Sequence, residues 1–133
     1  MNGEIKVVDN NPLYWEFIRE LRNNLKTKEG FVEQHHIDQK THTNFMAKNG
    51  DNYMIGLYNN DPAGFVGSVN GDIRVATHPD YIRSGLATQM LNAVMEKLPN
   101  SYAKIKIQNE ASIRLFERCG FKKKYYVLEK DQE

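Results

Sequence analysis

The dipeptide Asn70-Gly71 constrains this chain more than any other feature. Both residues tolerate the positive φ of a type I′ turn, and that turn joins two antiparallel strands through only two residues. Phe65–Val69 before it and Asp72–Thr77 after it read as strands, so the middle of the chain is expected to form a hairpin. Tyr53–Tyr58 reads as a further strand, separated from Ala63–Val69 by the turn cluster Asn59-Asn60-Asp61-Pro62. An antiparallel meander follows.

On either side of the meander the period becomes helical. Glu4–Val8 reads as a short strand closed by Asp9-Asn10-Asn11-Pro12. Pro12 suits the first turn of a helix, where its missing N–H costs nothing. Leu13, Phe17, Leu21 and Leu25 then give one apolar stripe. A second helix is expected from Asp38 to Lys48, anchored by Phe45 and Met46, and the polar Lys26–His36 stretch between the two has no period.

After His78-Pro79-Asp80, residues Leu86, Met90, Val94 and Leu98 line one helix face, with Ala87, Leu91 and Met95 beside them, until Pro99. Ala103, Ile105 and Ile107 alternate with Lys104 and Lys106, which predicts a strand with one wet face. Asn109 caps an expected helix over Glu110–Cys119, and Gly120 supplies its left-handed end. Phe121–Leu128 reads as the last strand. The order β-α-α-β-β-β-α-β-α-β predicts a mixed α/β fold, with a mostly antiparallel sheet flanked by helices. It is not a Rossmann alternation.

A chain of 133 residues with no linker or repeat is expected to form one domain over residues 1–133. Its one cysteine, Cys119, excludes an internal disulfide and a multi-cysteine metal site, so no metal is expected. No apolar run approaches the roughly 20 residues of a membrane span, and Met1–Val8 carries no signal-peptide pattern. The expectation is a soluble, cytoplasmic protein with no membrane partner. The net charge of +1 argues against nucleic acid. Its distribution is less even: residues 1–66 carry 7 basic and 9 acidic side chains, residues 67–133 carry 11 and 8. The basic half suits a small anionic ligand.

The chemistry concentrates in Thr77–Ala87. A strand ends there, and a loop containing Gly85 and the small Ser84 and Ala87 opens directly into a helix. Unpaired N–H groups at a helix start attract phosphate, and glycine permits close approach of the main chain. Arg83 adds a positive charge. Read without further context, the same residues also suit a plain strand-to-helix turn.

Thr77–Ala87, together with Asn109-Glu110-Ala111-Ser112-Ile113-Arg114-Leu115-Phe116-Glu117-Arg118-Cys119-Gly120-Phe121, resembles the GNAT superfamily of acyl-CoA-dependent N-acyltransferases. Gly85 and Ala87 match the pyrophosphate-loop motif (Gln/Arg)-x-x-Gly-x-(Gly/Ala), and the second stretch matches an Asn…Leu-Tyr-Glu…Gly-Phe signature. The resemblance spans residues 72–128. It implies that acetyl-CoA is the co-substrate, with Val75, Ala76 and Thr77 pairing with its pantetheine arm. Arg83, Ser84, Gly85, Leu86, Ala87 and Thr88 would cradle the pyrophosphate, and Asn109 would hold the pantetheine from the other side. Two departures stand out: Ile82 occupies the Gln/Arg position, and Phe116 replaces a tyrosine that protonates the departing thiolate in many members.

Acyl transfer to nitrogen needs a neutral amine, a donor for the developing oxyanion and an acid for the thiolate. A backbone N–H around Ala76 is the expected oxyanion donor. Candidate acids are Tyr126, Tyr125 and Tyr81, or bulk water; candidate bases are Asp72, His78, Glu110 and the pair His35-His36, and although imidazole suits the task, His78-Pro79 equally suits a plain turn. The acceptor is expected to be a small-molecule primary amine. Arg22, Asn23 and His42 resemble substrate-cleft residues of branches that acetylate amino sugars, including nucleotide-linked ones. Peptide N-termini, lysine side chains, polyamines and drug-like amines are alternative acceptors. Many GNAT domains form homodimers, which the resemblance leaves open here. Two other readings stay open: a non-catalytic acyl-CoA-binding module, and an interaction domain in which Gly85 and Asn109 only turn and cap the chain.

Overall fold

In a computed structural model of the chain, which describes residues 3–24 and 36–131, four strands form one antiparallel sheet in the order β1-β2-β3-β4. They are Ile5–Asp9 (β1), Tyr53–Tyr58 (β2), Asp61–Val69 (β3) and Asp72–Thr77 (β4). Asn70 (φ 53°) and Gly71 (φ 85°) make the expected type I′ turn. Asn59 (φ 50°) and Asn60 (φ 70°) make a second two-residue turn, so Tyr58 pairs directly with Asp61. The cluster Asn59–Pro62 is therefore only half turn; Asp61 and Pro62 belong to β3.

Successive residues of β3 point to opposite faces, which divides the core in two. Val66 joins Leu86, Met90, Leu91 and Val94 from the helix Leu86–Lys97 (α3), along with Phe116 from Glu110–Arg118 (α4). Phe65 joins Tyr53, Ile55 and Leu57 against Ile18 and Leu21 of Trp15–Asn23 (α1) and Met46 of Gln39–Asn49 (α2). Because β2 is covered on both faces, it reads as a nearly unbroken apolar run. Gly56 and Gly64 let α3 lie close: a Cβ on either would come within 2.7–2.9 Å of Leu86 or Met90 atoms.

The first helix differs from its predicted phase. Pro12–Tyr14 form a 3₁₀ turn capped by the Asn11 side chain, and α1 starts only at Trp15. The tighter turn removes Leu13 from the stripe, leaving it 90% exposed, and Ile18 replaces it as the deepest residue. Leu25 and most of the Lys26–His36 stretch lie outside the described residues. The second helix starts where expected, because the Asp38 carboxylate accepts the Thr41 N–H at 2.7 Å.

Two predicted strands are absent. Among the described residues, the chain near Ala103–Ile107 meets the sheet only at Tyr102, in a parallel bridge to Asp72. Tyr102 donates to the Gly71 carbonyl at 2.7 Å and accepts the Ile73 N–H at 2.9 Å, then the chain leaves β4. Ala103 and Ile105 still pack on the α3 core while Ile107 is 83% exposed, so much of the alternation is present without a ladder. Phe121 stacks edge-on with Phe116 at 5.0 Å, and the rest of Phe121–Leu128 is exposed coil. With no neighbouring strand to pair with, β-propensity alone does not make a strand.

Candidate active site: a free strand edge running into an amide-lined loop

The Tyr102 bridge fixes which groups of β4 remain open. In an antiparallel pair, N–H and C=O groups alternate between the two edges of a strand. Ile73 donates outward to Tyr102, whereas His78 donates inward to the Ala63 carbonyl at 2.7 Å. The main-chain groups of Val75 and Thr77 therefore face the free edge, and those of Arg74 and Ala76 face β3. This narrows the donors around Ala76: the Ala76 N–H belongs to the ladder, and the open ones are those of Val75 and Thr77.

That edge leads into the loop. Pro79–Tyr81 form a 3₁₀ turn held against the sheet by Tyr81, whose ring lies 5.3 Å from Tyr58 and 6.0 Å from His78. Ile82 follows, extended and 56% exposed. Arg83 (φ 69°) and Gly85 (φ 90°) are left-handed while Ser84 between them is not. Such alternation turns successive N–H groups toward one side and forms an anion-binding concavity. The Leu86 N–H is met by Ser84 Oγ at 3.3 Å, and the Gln89 N–H starts the helix on the Gly85 carbonyl. Among the described residues, nothing accepts the N–H groups of Gly85, Ala87 and Thr88. A Cβ placed on Gly85 would touch only Ile5, at 3.9 Å, so the mouth of the loop is open.

Asn109 caps α4 by accepting the Ser112 N–H at 3.2 Å on Oδ1, which leaves its amide nitrogen for another partner. Phe116 is 5% exposed and packs into the α3 core, so that position has neither a hydroxyl nor a place at the surface. The three catalytic candidates are not brought together. Asp72 and His78 stand six residues apart on an extended segment, about 20 Å at roughly 3.3 Å per residue. Asp72 lies 3.8 Å from the Arg74 guanidinium. His78 Nδ1 accepts the Asp80 N–H at 3.1 Å. Tyr126 is 86% exposed on the C-terminal coil.

Of the acceptor candidates, two are engaged in scaffolding. The Asn23 amide both donates to and accepts from the Ile37 main chain, each at 2.9 Å. His42 is 2% exposed, and its Nε2 lies 2.8 Å from the Trp15 carbonyl, joining α2 to α1. Burial holds the His42 pKa below the usual histidine range and Arg22 adds to that, while the Trp15 bond and Glu16 oppose it. A histidine whose folded pKa lies below its unfolded value lets the unfolded chain bind more protons. Its stabilising contribution is complete above the ordinary histidine range and declines as pH falls through it. The melting temperature should fall between about pH 7 and 5, and His42→Gln should flatten that slope; an unchanged slope would show that other groups carry it.

Sequence reasoning missed Tyr53 and Arg74. Tyr53 sits opposite Gly67, and Gly67 opposite Arg74, so the three form one row across β2, β3 and β4. A hollow of about 360 Å³ between the Asn70-Gly71 turn and Leu98–Ser101 lies at the other end of β4 and includes none of the loop residues.

The Acetyltransferase (GNAT) family model matches residues 13–121. No match is found among curated proteins by sequence. Solved structures are similar in fold. A domain from Methanocaldococcus jannaschii has a TM-score of 0.75 at 21% identity, covering 92% of this chain and 91% of that one. An aminoglycoside N-acetyltransferase in complex with CoA has a TM-score of 0.73 at 16% identity, covering 99% and 97%. A Salmonella typhimurium protein solved with its cofactor acetyl-CoA has a TM-score of 0.72 at 18% identity, covering 89% and 79%. No helix among the described residues is long and apolar enough to cross a membrane, and they contain no metal-binding group of side chains. The open edge, the amide-lined loop and the family match agree: this chain belongs to the GNAT acetyltransferase family.

Proposed function

We propose that the chain moves an acetyl group from acetyl-CoA to a primary amine by direct attack in a ternary complex. The observation that carries this reading is the continuity of the open β4 edge with the loop of unoccupied N–H groups at Gly85, Ala87 and Thr88. The loop fits a diphosphate because it supplies several converging donors with no side chain at Gly85 to block approach. Acetyl-CoA brings an activated acyl group as a thioester. The chain supplies the rest: Val75 and Thr77 align the arm along β4, and one of their N–H groups meets the carbonyl oxygen. Arg83, Ser84 and Leu86 frame the loop, and the Asn109 amide closes the far side.

His78, one residue beyond Thr77, is the candidate base nearest the reacting edge; its Nε2 is free of the Asp80 contact and carries the amine proton to solvent. The CoA thiolate, a fair leaving group unaided, takes its proton from solvent or from Tyr126, which is exposed on the C-terminal coil. Phe116 takes no part in proton transfer. The acceptor remains an amine such as an amino sugar or a nucleotide-linked amino sugar. Of the three candidates, Arg22 carries the charged group that suits an anionic part of a substrate.

Thiol release from acetyl-CoA across amino sugars, amino-sugar nucleotides, amino acids, polyamines and peptides tests this reading. Release dependent on at least one amine class is the expected result. Tight CoA binding with no amine-dependent release would instead make the chain a non-catalytic binding module.

A further inference from the structure

Tyr53 has no exposed surface, yet among the described residues its hydroxyl meets no hydrogen-bond partner. A buried hydroxyl left unpaired is costly, so such a group calls for an explanation. Its orientation follows from the sheet. The Tyr53 ring lies flat over Gly67, where a Cβ would come within 2.6 Å of it, and the next residue in the row is Arg74. The ring thus crosses a gap that only glycine leaves open and carries its hydroxyl toward β4.

Three charged groups act on that hydroxyl: Arg22 from the last turn of α1, and Arg74 and Asp72 from one face of β4. Burial pushes the hydroxyl above the usual phenol range, Arg22 and Arg74 oppose this, and Asp72 adds to it. The hydroxyl is therefore a neutral donor that feels the charge of both guanidinium groups. The Asp72–Arg74 contact is loose, at 3.8 Å, with both side chains about a quarter exposed, so a ligand can reach the pair.

This cluster lies beside the reacting edge. Arg74 and the open main-chain groups of Val75 and Thr77 are one and three residues apart, about 3–10 Å along β4. It lies on the α1–α2 face, whereas the α3 core occupies the other.

We propose that Tyr53, Arg74 and Arg22 form an oxyanion pocket that selects amine acceptors carrying a carboxylate or phosphate a few bonds from the nitrogen. The pocket rests on the acetyl-transfer reading above. Two guanidinium groups and a phenol donor match the oxygens of either anion, and neutral amines lack a partner for them.

Calorimetry on the CoA-loaded chain with two matched pairs tests it: lysine against lysinamide, and glucosamine 6-phosphate against glucosamine. In at least one pair, the member bearing the carboxylate or phosphate should bind about tenfold or more tightly than the member lacking it, the gain of one charge-assisted hydrogen bond. Tyr53→Phe and Arg74→Gln should each bring that pair close to parity. The pair that discriminates identifies the anion as carboxylate or phosphate. Tyr53→Phe should also leave the melting temperature unchanged or raise it, since the lost hydroxyl has no partner in the free protein; a lower value would mark it as structural and overturn the proposal. Equal binding within both pairs, no binding by any of the four, or preference surviving in both variants would overturn it too. These are binding readouts. Anionic selectivity without thiol release would defeat the acetyl-transfer reading alone, and thiol release without anionic selectivity would defeat the pocket alone.

Discussion

Gly85→Val should reduce acetyl-CoA affinity by on the order of 100-fold or more while the chain stays folded. That figure corresponds to losing two charge-assisted hydrogen bonds at about 1.5–3 kcal/mol each. Backbone conformation and access to the loop both contribute. At φ 90°, Gly85 holds a conformation that costs a residue with a Cβ about 1–2 kcal/mol, and a β-branched one most. The relaxed backbone would turn the Gly85, Ala87 and Thr88 N–H groups away from a common point, and the valine methyls would stand in the open mouth. The fold survives because the nearest atom to a Cβ there is Ile5 Cδ1, at 3.9 Å. Calorimetry for affinity and circular dichroism for the melt separate the two effects. Retained affinity would place the diphosphate elsewhere.

Gly64→Ala should cost clearly more stability than Gly56→Ala, although both glycines face the same helix. A Cβ on Gly64 would lie 2.7 Å from the Ala76 carbonyl oxygen and 2.9 Å from Met90 Cε. The methionine end can move, but the carbonyl belongs to β4 and cannot shift without displacing the strand. Overpacking of this kind costs about 1–3 kcal/mol, which for a domain of this size lowers the melting temperature by several degrees. Because Ala76 sits between Val75 and Thr77, the displacement should also weaken acetyl-CoA binding, although Gly64 touches no part of the loop. Gly56→Ala is the comparison. Its Cβ meets side-chain atoms of Leu86 and Met90 and no backbone, so it should cost less and leave affinity unchanged. Equal losses from the two would remove the link between Gly64 and the site.

Legibility from sequence followed the range of the physics involved. The Asn70-Gly71 turn fixed the pairing of Val69 with Asp72, and with it the register that places Gly67 beside Arg74. The same arithmetic from the Tyr58–Asp61 turn would set Tyr53 against Val66. A bulge at Gly56/Leu57 moves it to Gly67, and a one-residue slip exchanges faces. No local signal announced that bulge, so the row that carries the anion pocket was hidden. The loop at Gly85 was readable because a glycine between a strand and a helix start has few uses. The roles of Asn23 and His42 were not, since a hydrogen bond to Ile37 or to the Trp15 carbonyl depends on how α1 and α2 meet. Strands at Ala103–Ile107 and Phe121–Leu128 were predicted from alternation alone, and alternation describes which side chains are wet rather than whether a partner strand is present.

In the proposed reaction, main-chain amides of one loop and one strand edge receive the CoA, and amide resonances followed by NMR during titration with acetyl-CoA will show whether they do. The largest shifts should fall on Gly85, Ala87 and Thr88, with Val75 and Thr77 following, while Arg74 and Ala76, whose N–H groups face β3, should move less. Shifts concentrated instead around the hollow at Asn70–Gly71 and Leu98–Ser101, or spread without any focus on the loop, would contradict it.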